Sequence, residues 1–381
     1  MTSSNTERPL RLLCIVGARP NFMKIAPLMR VFRGAPDDFD VRLVHTGQHY
    51  DQAMKAAFFT QLQIPEPDID LGVGSGSHAV QTAEIMRRFE PVVDDFGPDA
   101  VLVVGDVNST IACALVAAKK QVAVIHVEAG LRSGDRAMPE EVNRVLTDQL
   151  SDLLFTTEPD GEANLRREGI AADRIHFVGN VMIDTLLANR ERAVPAKETL
   201  AATLGEAVGH YGLVTMHRPS NVDDADVLRK LLAVLADLSA DLPLVFPIHP
   251  RTRARITEFG LDGIVSSANI ALTAPLGYLE LLGLMAEARV VLTDSGGLQE
   301  ETTALGVPCI TMRENTERPI TVDKGTNTIV GTDTARIRQV FDEVMQTGGK
   351  AGRVPELWDG RAAQRIAAVL RDWHHGRAAA A

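Results

Sequence analysis

The sequence predicts an α/β protein with two doubly wound domains, each built on a parallel sheet. Apolar runs of about five residues alternate with longer amphipathic stretches, as they do where strands are buried on both faces of a sheet. This alternation implies parallel strands that are joined by helices. The pattern restarts after a polar, helix-rich bridge at residues 184–209. A chain of 381 residues is long enough for more than one domain, so we predict two.

The predicted strands follow from the apolar runs, taken in chain order. Each run is short and lies between polar segments, which favours a buried strand over a helix. The strands of the first domain are Arg11–Val16, Val41–His45, Ala100–Val104, Val122–Val127, Leu153–Thr156 and Ile175–Val178. Those of the second are Gly212–Met216, Leu244–Ile248, Ile270–Leu272, Val290–Thr293 and Val307–Met312.

The stretches between the strands predict helices. Examples are Phe22–Phe32, Thr110–Lys119, Glu140–Leu150, Asp226–Leu238 and Leu298–Leu305. We place the first domain at residues 1–183 and the second at residues 184–360. A last helix, predicted at residues 361–378, should pack back on the first domain.

The composition narrows the class of protein. A formal net charge of −11 argues against a nucleic-acid surface, which requires a basic face. No apolar run approaches the roughly 20 residues of a membrane helix, and the polar N-terminus lacks the apolar core of a signal peptide. Cys14, Cys113 and Cys309 lie far apart in apolar runs, which predicts buried free thiols. We therefore expect a cytoplasmic protein that binds neither nucleic acid nor a membrane.

The first candidate site residues follow the first predicted strand. Arg19 and Lys24 stand near the start of the next helix, where the helix macrodipole disfavours cations. Two cations are understandable there if an anionic ligand joins them, although a solvated charge pair is a simpler alternative. Asn21 is predicted to be the N-cap of this helix.

Three carboxylates lie at the ends of elements in the same domain. Asp106 follows an apolar strand, Glu128 ends the next strand, and Glu140 opens a helix. Taken alone, Asp106 could be a helix cap and Glu140 could pair with Arg144. A carboxylate at a buried strand end is costly unless it is paired or functional. Together they predict an acid–base site in which one carboxyl group could hold a proton near neutral pH, because close carboxylates raise one another's pKa.

The second domain also places polar groups after apolar strands. His217, with Arg218 beside it, follows one strand and could carry a proton or bind a phosphate, although a lone histidine is more often structural. Ser295, Gly296 and Gly297 follow another strand. Glycines there let the backbone approach a ligand closely and direct N–H groups at a phosphate.

Charged side chains follow this glycine pair. Glu300 or Glu301, one turn into the next helix, could accept hydrogen bonds from a ribose diol. Arg313 and Arg318 add cations for a diphosphate. The chain lacks G-x-G-x-x-G after its first strand, G-x-x-x-x-G-K-[ST], H-E-x-x-H and a cysteine cluster. We therefore expect neither NAD, nor ATP in a P-loop, nor zinc.

An ordered set of motifs covers most of the chain, from about Leu12 to Gly331: GARPNFMKIAPL, TGQHYD, VVGDVNST, HVEAGLRSGD, PEEVNR, GNVMID, MHRPSN, TDSGGLQEE and TERP. This set resembles the non-hydrolysing UDP-N-acetylglucosamine 2-epimerases of bacteria. The resemblance implies two Rossmann-like domains, as in two-Rossmann glycosyltransferases, with the active site in the cleft between them. It also implies a homodimer that interconverts UDP-N-acetylglucosamine and UDP-N-acetylmannosamine without a cofactor or an essential metal.

The resemblance further implies roles for individual residues. The family's catalytic residues fall on Asp106, Glu128, Glu140 and His217, and its UDP-sugar-binding residues fall on Arg19, Lys24, Ser295, Gly296, Gly297, Glu301 and Arg318. We hypothesise that Asp106 and Glu128 carry out the proton steps, that Glu140 positions or shares them, and that His217 steadies the diphosphate.

The family reaction suits these residue types. It eliminates UDP to give 2-acetamidoglucal, then adds UDP back with the hydrogen at carbon 2 delivered to the other face. Elimination requires a base at carbon 2 and stabilisation of the departing diphosphate, and re-addition requires an acid on the opposite face. Which carboxylate is the base and which is the acid stays open.

Other readings of the same motifs stay open as well. A hydrolysing epimerase would release N-acetylmannosamine and UDP, a related epimerase would act on a modified UDP-amino sugar, and a glycosyltransferase would use an acceptor. The sequence departs from well-known family members at Asn21, in the motif HRPSN, and at Tyr50 and Asp51. The resemblance implies that the GQH region, next to Tyr50 and Asp51, and parts near His249 contribute to a second sugar-nucleotide site that activates some members of the family. Because Tyr50 and Asp51 differ here, we hypothesise that this chain works without that activation.

Overall fold

The chain forms two α/β units, each with a parallel sheet, as predicted. A computed structural model describes residues 8–47, 59–201 and 210–380, with the side chains of Arg19 and of residues 378–380 outside that description. Contacts divide the chain into one unit of Met1–Leu187 with Glu356–Ala381 and a second of Ala188–Pro355. The boundary predicted at 183/184 falls inside a helix, and the domain limits stay a prediction.

The sheet of the first unit has, within the described residues, seven parallel strands in the order β3-β2-β1-β4-β5-β6-β7. They are β1 (Leu10–Val16), β2 (Phe39–His45), β3 (Ile69–Asp70), β4 (Ala100–Val104), β5 (Ala123–Ala129), β6 (Leu153–Thr156) and β7 (Ile175–Phe177). The order reverses between β1 and β4, which pair directly. Doubly wound sheets bind ligands at such a reversal, beyond the carboxyl ends of the strands.

The helices of the first unit up to the boundary are α1 (Arg19–Arg33), α2 (His78–Phe96), α3 (Asn108–Lys119), α4 (Pro139–Leu150), α5 (Pro159–Arg167) and α6 (Val181–Asn189), with a 3-10 turn at Ala172–Arg174. Local sequence sets their ends. At the start of α2 the Ser77 side chain accepts the N–H of Val80, and Gly97 ends the helix at a φ of 58°, where glycine is favoured because it lacks Cβ.

The second unit repeats this topology. Its described strands follow the order β10-β9-β8-β11-β12-β13, with the reversal between β8 and β11. The strands are β8 (Gly212–Thr215), β9 (Leu244–Pro247), β10 (Ile270–Thr273), β11 (Val290–Thr293), β12 (Cys309–Thr311) and β13 (Asn327–Ile329). The helices are α7 (Ala196–Leu200), α8 (Pro219–Val222), α9 (Ala225–Leu238), α10 (Pro250–Glu258), α11 (Asp262–Ser266), α12 (Tyr278–Glu287), α13 (Gly296–Leu305), α14 (Pro319–Asp323) and α15 (Thr334–Thr347), with a 3-10 turn at Arg190–Arg192.

The structure departs from the sequence prediction at three points. Strands β3 and β13 were missed, because their two and three residues are too few to show a period. The prediction that Asn21 caps α1 is wrong: the cap is Ala18, and Asn21 is the third helical residue. The helix begins early because Pro20 in its first turn favours helical backbone there. Asn21 instead accepts the Ala18 N–H at 3.2 Å and donates to the Val104 carbonyl at 2.9 Å, which ties α1 to the end of β4.

The structure bears on two predictions made from the composition, one about the cysteines and one about membrane-spanning helices. The three cysteines are buried and free, as predicted. No helix in the described part of the chain is both long enough and apolar enough to cross a membrane.

The C-terminal helix α16 (Ala362–Ala380) belongs to the first unit. Asp184, in α6, accepts the backbone N–H groups of Ala362 at 3.1 Å and Ala363 at 2.7 Å, so one carboxyl group satisfies two donors at the start of α16. Arg371 forms an ion pair with Asp38 at 2.6 Å. Burial raises the pKa of Asp184 to about 6, against the opposing effect of the two N–H groups.

We predict that Asp184 makes the stability of this unit depend on pH. Its pKa is about 6 in the folded chain and ordinary when unfolded. The contribution of Asp184 to the free energy of unfolding is therefore fully present below its ordinary pKa. It is lost as pH rises through 6, and the total loss is at most ~3 kcal/mol. Asp184→Asn should remove this loss, so the free energy of unfolding of the variant should rise relative to wild type between about pH 4 and about pH 7.

Fluorescence-detected urea unfolding at several pH values measures this difference, because both tryptophans, Trp358 and Trp373, lie in the C-terminal segment of this unit. Asp359→Asn is the control, and its stability relative to wild type should change with pH in the opposite direction, because the hydrogen bond from Arg365 lowers the pKa of Asp359. That variant should lose stability relative to wild type as pH rises. A constant difference between Asp184→Asn and wild type at all pH values would contradict the prediction.

Candidate functional site

Most of the residues predicted to be functional lie at or just after the carboxyl ends of strands in the two units. In the first unit α1, with Arg19 and Lys24, follows β1, Asp106 follows β4, and Glu128 lies near the end of β5. In the second, His217 follows β8 and Ser295 follows β11, as the N-cap of α13. Each set flanks the reversal of strand order, where doubly wound sheets bind ligands.

Lys24 and Glu128 form a buried ion pair, with 2.6 Å between Nζ and Oε1 and side chains that are 4% and 1% exposed. Glu128 has a φ of 72°, which is rare outside glycine. The register between β5 and β6 shifts around it, between Val127 and Ala129. Such irregularities redirect a side chain, and strained backbone persists where its surroundings hold it. The ion pair with Lys24 is one contact that holds Glu128 in this conformation.

Gly105 makes room for this ion pair. A Cβ atom at position 105 would lie 2.6 Å from the Lys24 ammonium nitrogen, and Gly105 itself has a φ of 65°. Lys24, predicted from the resemblance to bind the UDP-sugar, therefore has a carboxylate as its partner in the structure. Arg19 begins α1, and its side chain is outside the described part of the chain.

Asp106 has its own cation, Arg144. The Arg144 Nη2 and Nε atoms lie 2.6 and 3.0 Å from Asp106 Oδ2, and its Nη1 lies 2.7 Å from Glu141 Oε2. The predicted pair of Glu140 with Arg144 is therefore wrong. Among the described residues of α4 it is Glu141 that pairs with Arg144, because both side chains are on the buried face of the helix while Glu140 is partly exposed.

Glu141 is a site residue that sequence reasoning missed. It accepts the N–H groups of Ser133 and Gly134, both at 2.9 Å. Burial opposes ionisation, but these donors and Arg144 hold the pKa of Glu141 below its usual value. Glu141 therefore helps to hold the Arg144 guanidinium in its contact with Asp106. The adjacent acids of the motif PEEVNR were the available signal, and only burial separates their roles.

Asp294 is a second residue that was missed. This fully buried carboxylate accepts the N–H groups of His217 at 2.9 Å and Arg218 at 2.8 Å, and its Oδ1 lies 3.2 Å from His217 Nδ1. Burial opposes ionisation, but the His217 side chain and these donors hold the pKa of Asp294 below its usual value. The His217 ring is 39% exposed. Asp294 favours the proton on Nδ1, which leaves Nε2 as the ring nitrogen that can meet a ligand.

Arg318 lies over the N-terminus of α13. Its Nε is 2.8 Å from Glu300 Oε2, and its Nη1 is 2.5 Å from Glu317 Oε1. A Cβ atom at Gly296 would lie 2.6 Å from Nη1, so glycine allows the guanidinium to reach the helix end; Gly297 is the next residue of the helix. The macrodipole disfavours a cation there and favours an anion.

Two further arginines extend this cluster. Arg313 Nη2 lies 2.8 Å from Glu317 Oε2, and Arg218 Nη2 lies 3.9 Å from Glu317 Oε1. Within the described residues, the buried Nη1 of Arg313 and Nε of Arg218 have no hydrogen-bond partner. Buried donors without acceptors are costly. An anionic ligand would supply the acceptors.

The two acids considered for a ribose have different partners. Glu300 pairs with Arg318, whereas Glu301 accepts a hydrogen bond from the Tyr278 hydroxyl at 3.0 Å. Both acids are buried. Glu300 therefore belongs to the arginine cluster, and Glu301 is oriented by a neutral phenol.

Two further predictions concern a bound metal ion and an activating ligand. No group of three or more His, Cys, Asp or Glu side chains in residues 8–47, 59–201 and 210–380 could hold a metal ion. Tyr50 and Asp51, on which the activation hypothesis rests, lie outside the described residues, so that hypothesis stays a prediction.

Comparison with known proteins places these residues in a family. A family model described as UDP-N-acetylglucosamine 2-epimerase matches residues 33–371. The chain is 40% identical over 366 residues to the UDP-N-acetylglucosamine 2-epimerase of Methanocaldococcus jannaschii, covering 95% of this chain and 99% of the relative. It is also 40% identical over 325 residues to the UDP-2,3-diacetamido-2,3-dideoxy-D-glucuronate 2-epimerase of Pseudomonas aeruginosa, covering 84% and 88%. The crystal structure of the Methanocaldococcus jannaschii enzyme in complex with UDP-GlcNAc and UDP is similar, with a TM-score of 0.87 over 95% of this chain and 99% of that chain.

We predict that Lys24→Met destabilises the first unit by about 3–5 kcal/mol, because Glu128 would remain buried without its cation. The double variant Lys24→Met/Glu128→Gln should recover much of this loss, since it removes both charges together. Urea unfolding followed by tryptophan fluorescence compares the three chains. Equal stability of the single and double variants would show that the ion pair does not couple these two residues.

Proposed function

The chain belongs to the UDP-N-acetylglucosamine 2-epimerase family and is an isomerase, and from this premise we propose the reaction in detail. It interconverts UDP-N-acetylglucosamine and UDP-N-acetylmannosamine by eliminating UDP and adding it back, without hydrolysis. The observation that carries the proposal is the separate pairing of two carboxylates at the strand ends, Asp106 with Arg144 and Glu128 with Lys24. Inversion at carbon 2 requires two proton-transfer groups, one for each face of the sugar.

The second unit would hold the nucleotide. In this proposal the N-terminus of α13 and Arg318 bind the diphosphate, Glu301 binds the ribose diol, and His217 steadies the departing oxygen through Nε2. The buried nitrogen atoms of Arg313 and Arg218 that have no acceptor within the described residues support an anionic ligand at this cluster. The residues assigned to UDP-sugar binding are Arg19, Lys24, Ser295, Gly296, Gly297, Glu301 and Arg318.

The two ion pairs suggest different roles for their carboxylates. Arg144 does not give up its proton, so it keeps Asp106 ionised, as a base requires. Lys24 can release a proton to Glu128 across the 2.6 Å contact, and lysine changes protonation state far more readily than arginine. We therefore assign Asp106 as the base and Glu128, supplied by Lys24, as the acid in one direction, with the roles exchanged in the other. Glu140 positions or shares the proton steps.

Atoms balance in both steps of this scheme. The base takes the proton from carbon 2, a double bond forms between carbons 1 and 2, and the bond from carbon 1 to the diphosphate oxygen breaks. In the return step the acid protonates carbon 2 on the other face, and the UDP oxygen bonds to carbon 1 again. We further propose that the enzyme acts as a cytoplasmic homodimer without a cofactor.

A second candidate keeps the reaction and changes the sugar. It is favoured by the 40% identity to an epimerase named for a diacetamido-glucuronate, which equals the identity to the Methanocaldococcus jannaschii enzyme. Under this alternative the same diphosphate site would bind a modified UDP-amino sugar. A hydrolysing epimerase would instead release free N-acetylmannosamine and UDP, so the product distinguishes it.

We predict that purified protein in deuterated water converts UDP-N-acetylglucosamine into UDP-N-acetylmannosamine with deuterium at carbon 2, without added metal or NAD. A proton NMR time course measures this directly. Asp106→Asn and Glu128→Gln should each bind UDP but lose at least about 100-fold in turnover, as expected when an acid or base is removed. Free N-acetylmannosamine would assign hydrolysis, and conversion of only the diacetamido-uronate would assign the modified substrate.

We predict that Tyr278→Phe weakens UDP binding because Glu301 loses the hydroxyl that orients it toward the ribose. The expected loss is about three- to tenfold for UDP, as for one hydrogen bond, and none for 2′,3′-dideoxy-UDP. Titration calorimetry measures both affinities. The matched control is Tyr211→Phe, which removes a buried hydroxyl that donates to the Leu284 carbonyl at 2.6 Å. Equal losses for UDP and its dideoxy analogue would refute the ribose assignment.

A further inference from the structure

His126 is a buried histidine with both ring nitrogens in hydrogen bonds. It lies within β5, two residues before Glu128, and is fully buried. Its Nε2 lies 2.8 Å from the Gly105 carbonyl oxygen, and its Nδ1 lies 2.6 Å from Asp148 Oδ1. The reaction scheme assigns this side chain no role.

The partners of the ring determine its protonation. A carbonyl oxygen can only accept, so Nε2 must carry a proton. The other oxygen of Asp148 already receives the Gly130 N–H at 3.1 Å and lies 2.7 Å from Arg132. Those two donors favour an ionised carboxylate, which can only accept. Nδ1 must then donate as well, and the ring carries both protons.

The surrounding charges are consistent with an imidazolium. From the outside inward they alternate in sign: Glu168, then Arg132 at 2.6 Å from it, then Asp148, then His126. Among the described residues, other charged groups at this end of the sheet are Lys24 with Glu128, and Arg144 with both Asp106 and Glu141. Glu158 is a further buried acid, after β6. These groups carry no excess of positive charge that would disfavour an imidazolium. The proton on His126 therefore completes an alternating series.

Gly105 connects this series to the reaction site. Its N–H donates to the Val127 carbonyl at 3.0 Å, and its carbonyl accepts the proton of His126 Nε2. The peptide group that follows Gly105 leads directly to Asp106. Two hydrogen bonds with β5 thus fix the backbone just before Asp106. They act at Gly105, which has a φ of 65° and, as a glycine, would otherwise be conformationally free.

We propose that His126, held doubly protonated by Asp148, is a positioning residue that fixes the Gly105 carbonyl and thereby the carboxylate of Asp106. The assignment to Asp106 rests on the proposed function, whereas the protonation of the ring does not. The neutral form would need either a protonated Asp148 or an unpaired ring nitrogen in a fully buried site. Both are disfavoured, the first by the two other donors to Asp148 and the second by the cost of a buried group without its hydrogen bond.

The protonation is tested on the wild-type protein by nitrogen NMR of 15N-histidine-labelled chain at about pH 8, above the ordinary pKa of histidine. We expect both ring nitrogens of His126 to carry protons and to have similar chemical shifts, with the signals assigned by their loss in His126→Gln. His176 is the internal comparison, because burial lowers its pKa and one unprotonated nitrogen is expected. A His126 ring with one unprotonated nitrogen at this pH overturns the proposal.

The positioning role is tested by Asp148→Asn, which keeps the shape of the side chain but removes the charge that holds a proton on each ring nitrogen. A neutral His126 can place its one proton on Nδ1, toward residue 148, which leaves Nε2 unable to donate to the Gly105 carbonyl. We expect kcat to fall about 10- to 100-fold through displacement of Asp106, with KM and UDP affinity unchanged and with the imidazolium signals lost. Asp152→Asn is the control: its carboxylate accepts the Val124 N–H at 2.8 Å, at the start of the same strand, and kcat should not change.

The outcomes separate this inference from the proposed function. An Asp148→Asn enzyme with wild-type kcat overturns the positioning role. So does a matching loss of UDP affinity, which would indicate a general structural defect. A wild-type chain without epimerase activity would refute the proposed function, and the NMR experiment would still decide the protonation of His126.

Discussion

The burial of charged groups at the carboxyl ends of parallel strands is the constraint on which the rest of the site depends. A charge that is removed from water must be paired or must change its protonation state. In the first unit the Lys24–Glu128 ion pair meets this requirement, and several local features accompany it. A Cβ atom at position 105 would lie 2.6 Å from the ammonium nitrogen, so glycine leaves room for it. Strand β5 is irregular at Glu128, and Asn21 ties α1 to the end of β4 close to Lys24.

The second unit meets the same constraint incompletely. Its arginine side chains lie near buried carboxylates, but Nη1 of Arg313 and Nε of Arg218 are buried and have no acceptor within the described residues. Buried donors of this kind are costly unless an acceptor reaches them. Arg318 lies at the start of α13, where Gly296 makes room for it. A ligand with anionic oxygen atoms would supply the acceptors that this cluster lacks.

The choice of cation gives chemically similar carboxylates different properties. Arginine keeps its proton under all ordinary conditions, whereas lysine can share one with its partner. The paired cation therefore distinguishes Asp106 from Glu128, although both are carboxylates at strand ends. The alternating charges from Glu168 to His126 add a third kind of control. They act on the backbone before Asp106 and leave the net charge of the region unchanged.

Much of this protein was determined by the sequence alone, because periodicity and turn chemistry are local. Apolar runs predicted the α/β class and most strands, and strand ends marked Asp106, Glu128, His217 and the glycine pair. The ordered motifs predicted the family to which the chain belongs. What only the tertiary structure decided is which charge meets which. Lys24 and Glu128 are 104 residues apart and Asp106 and Arg144 are 38 apart, so no local pattern could pair them. Asp294 and the His126–Asp148 contact were missed for the same reason. Glu141 was missed although its partner Arg144 is only three residues away, because burial, which the fold decides, separates it from Glu140.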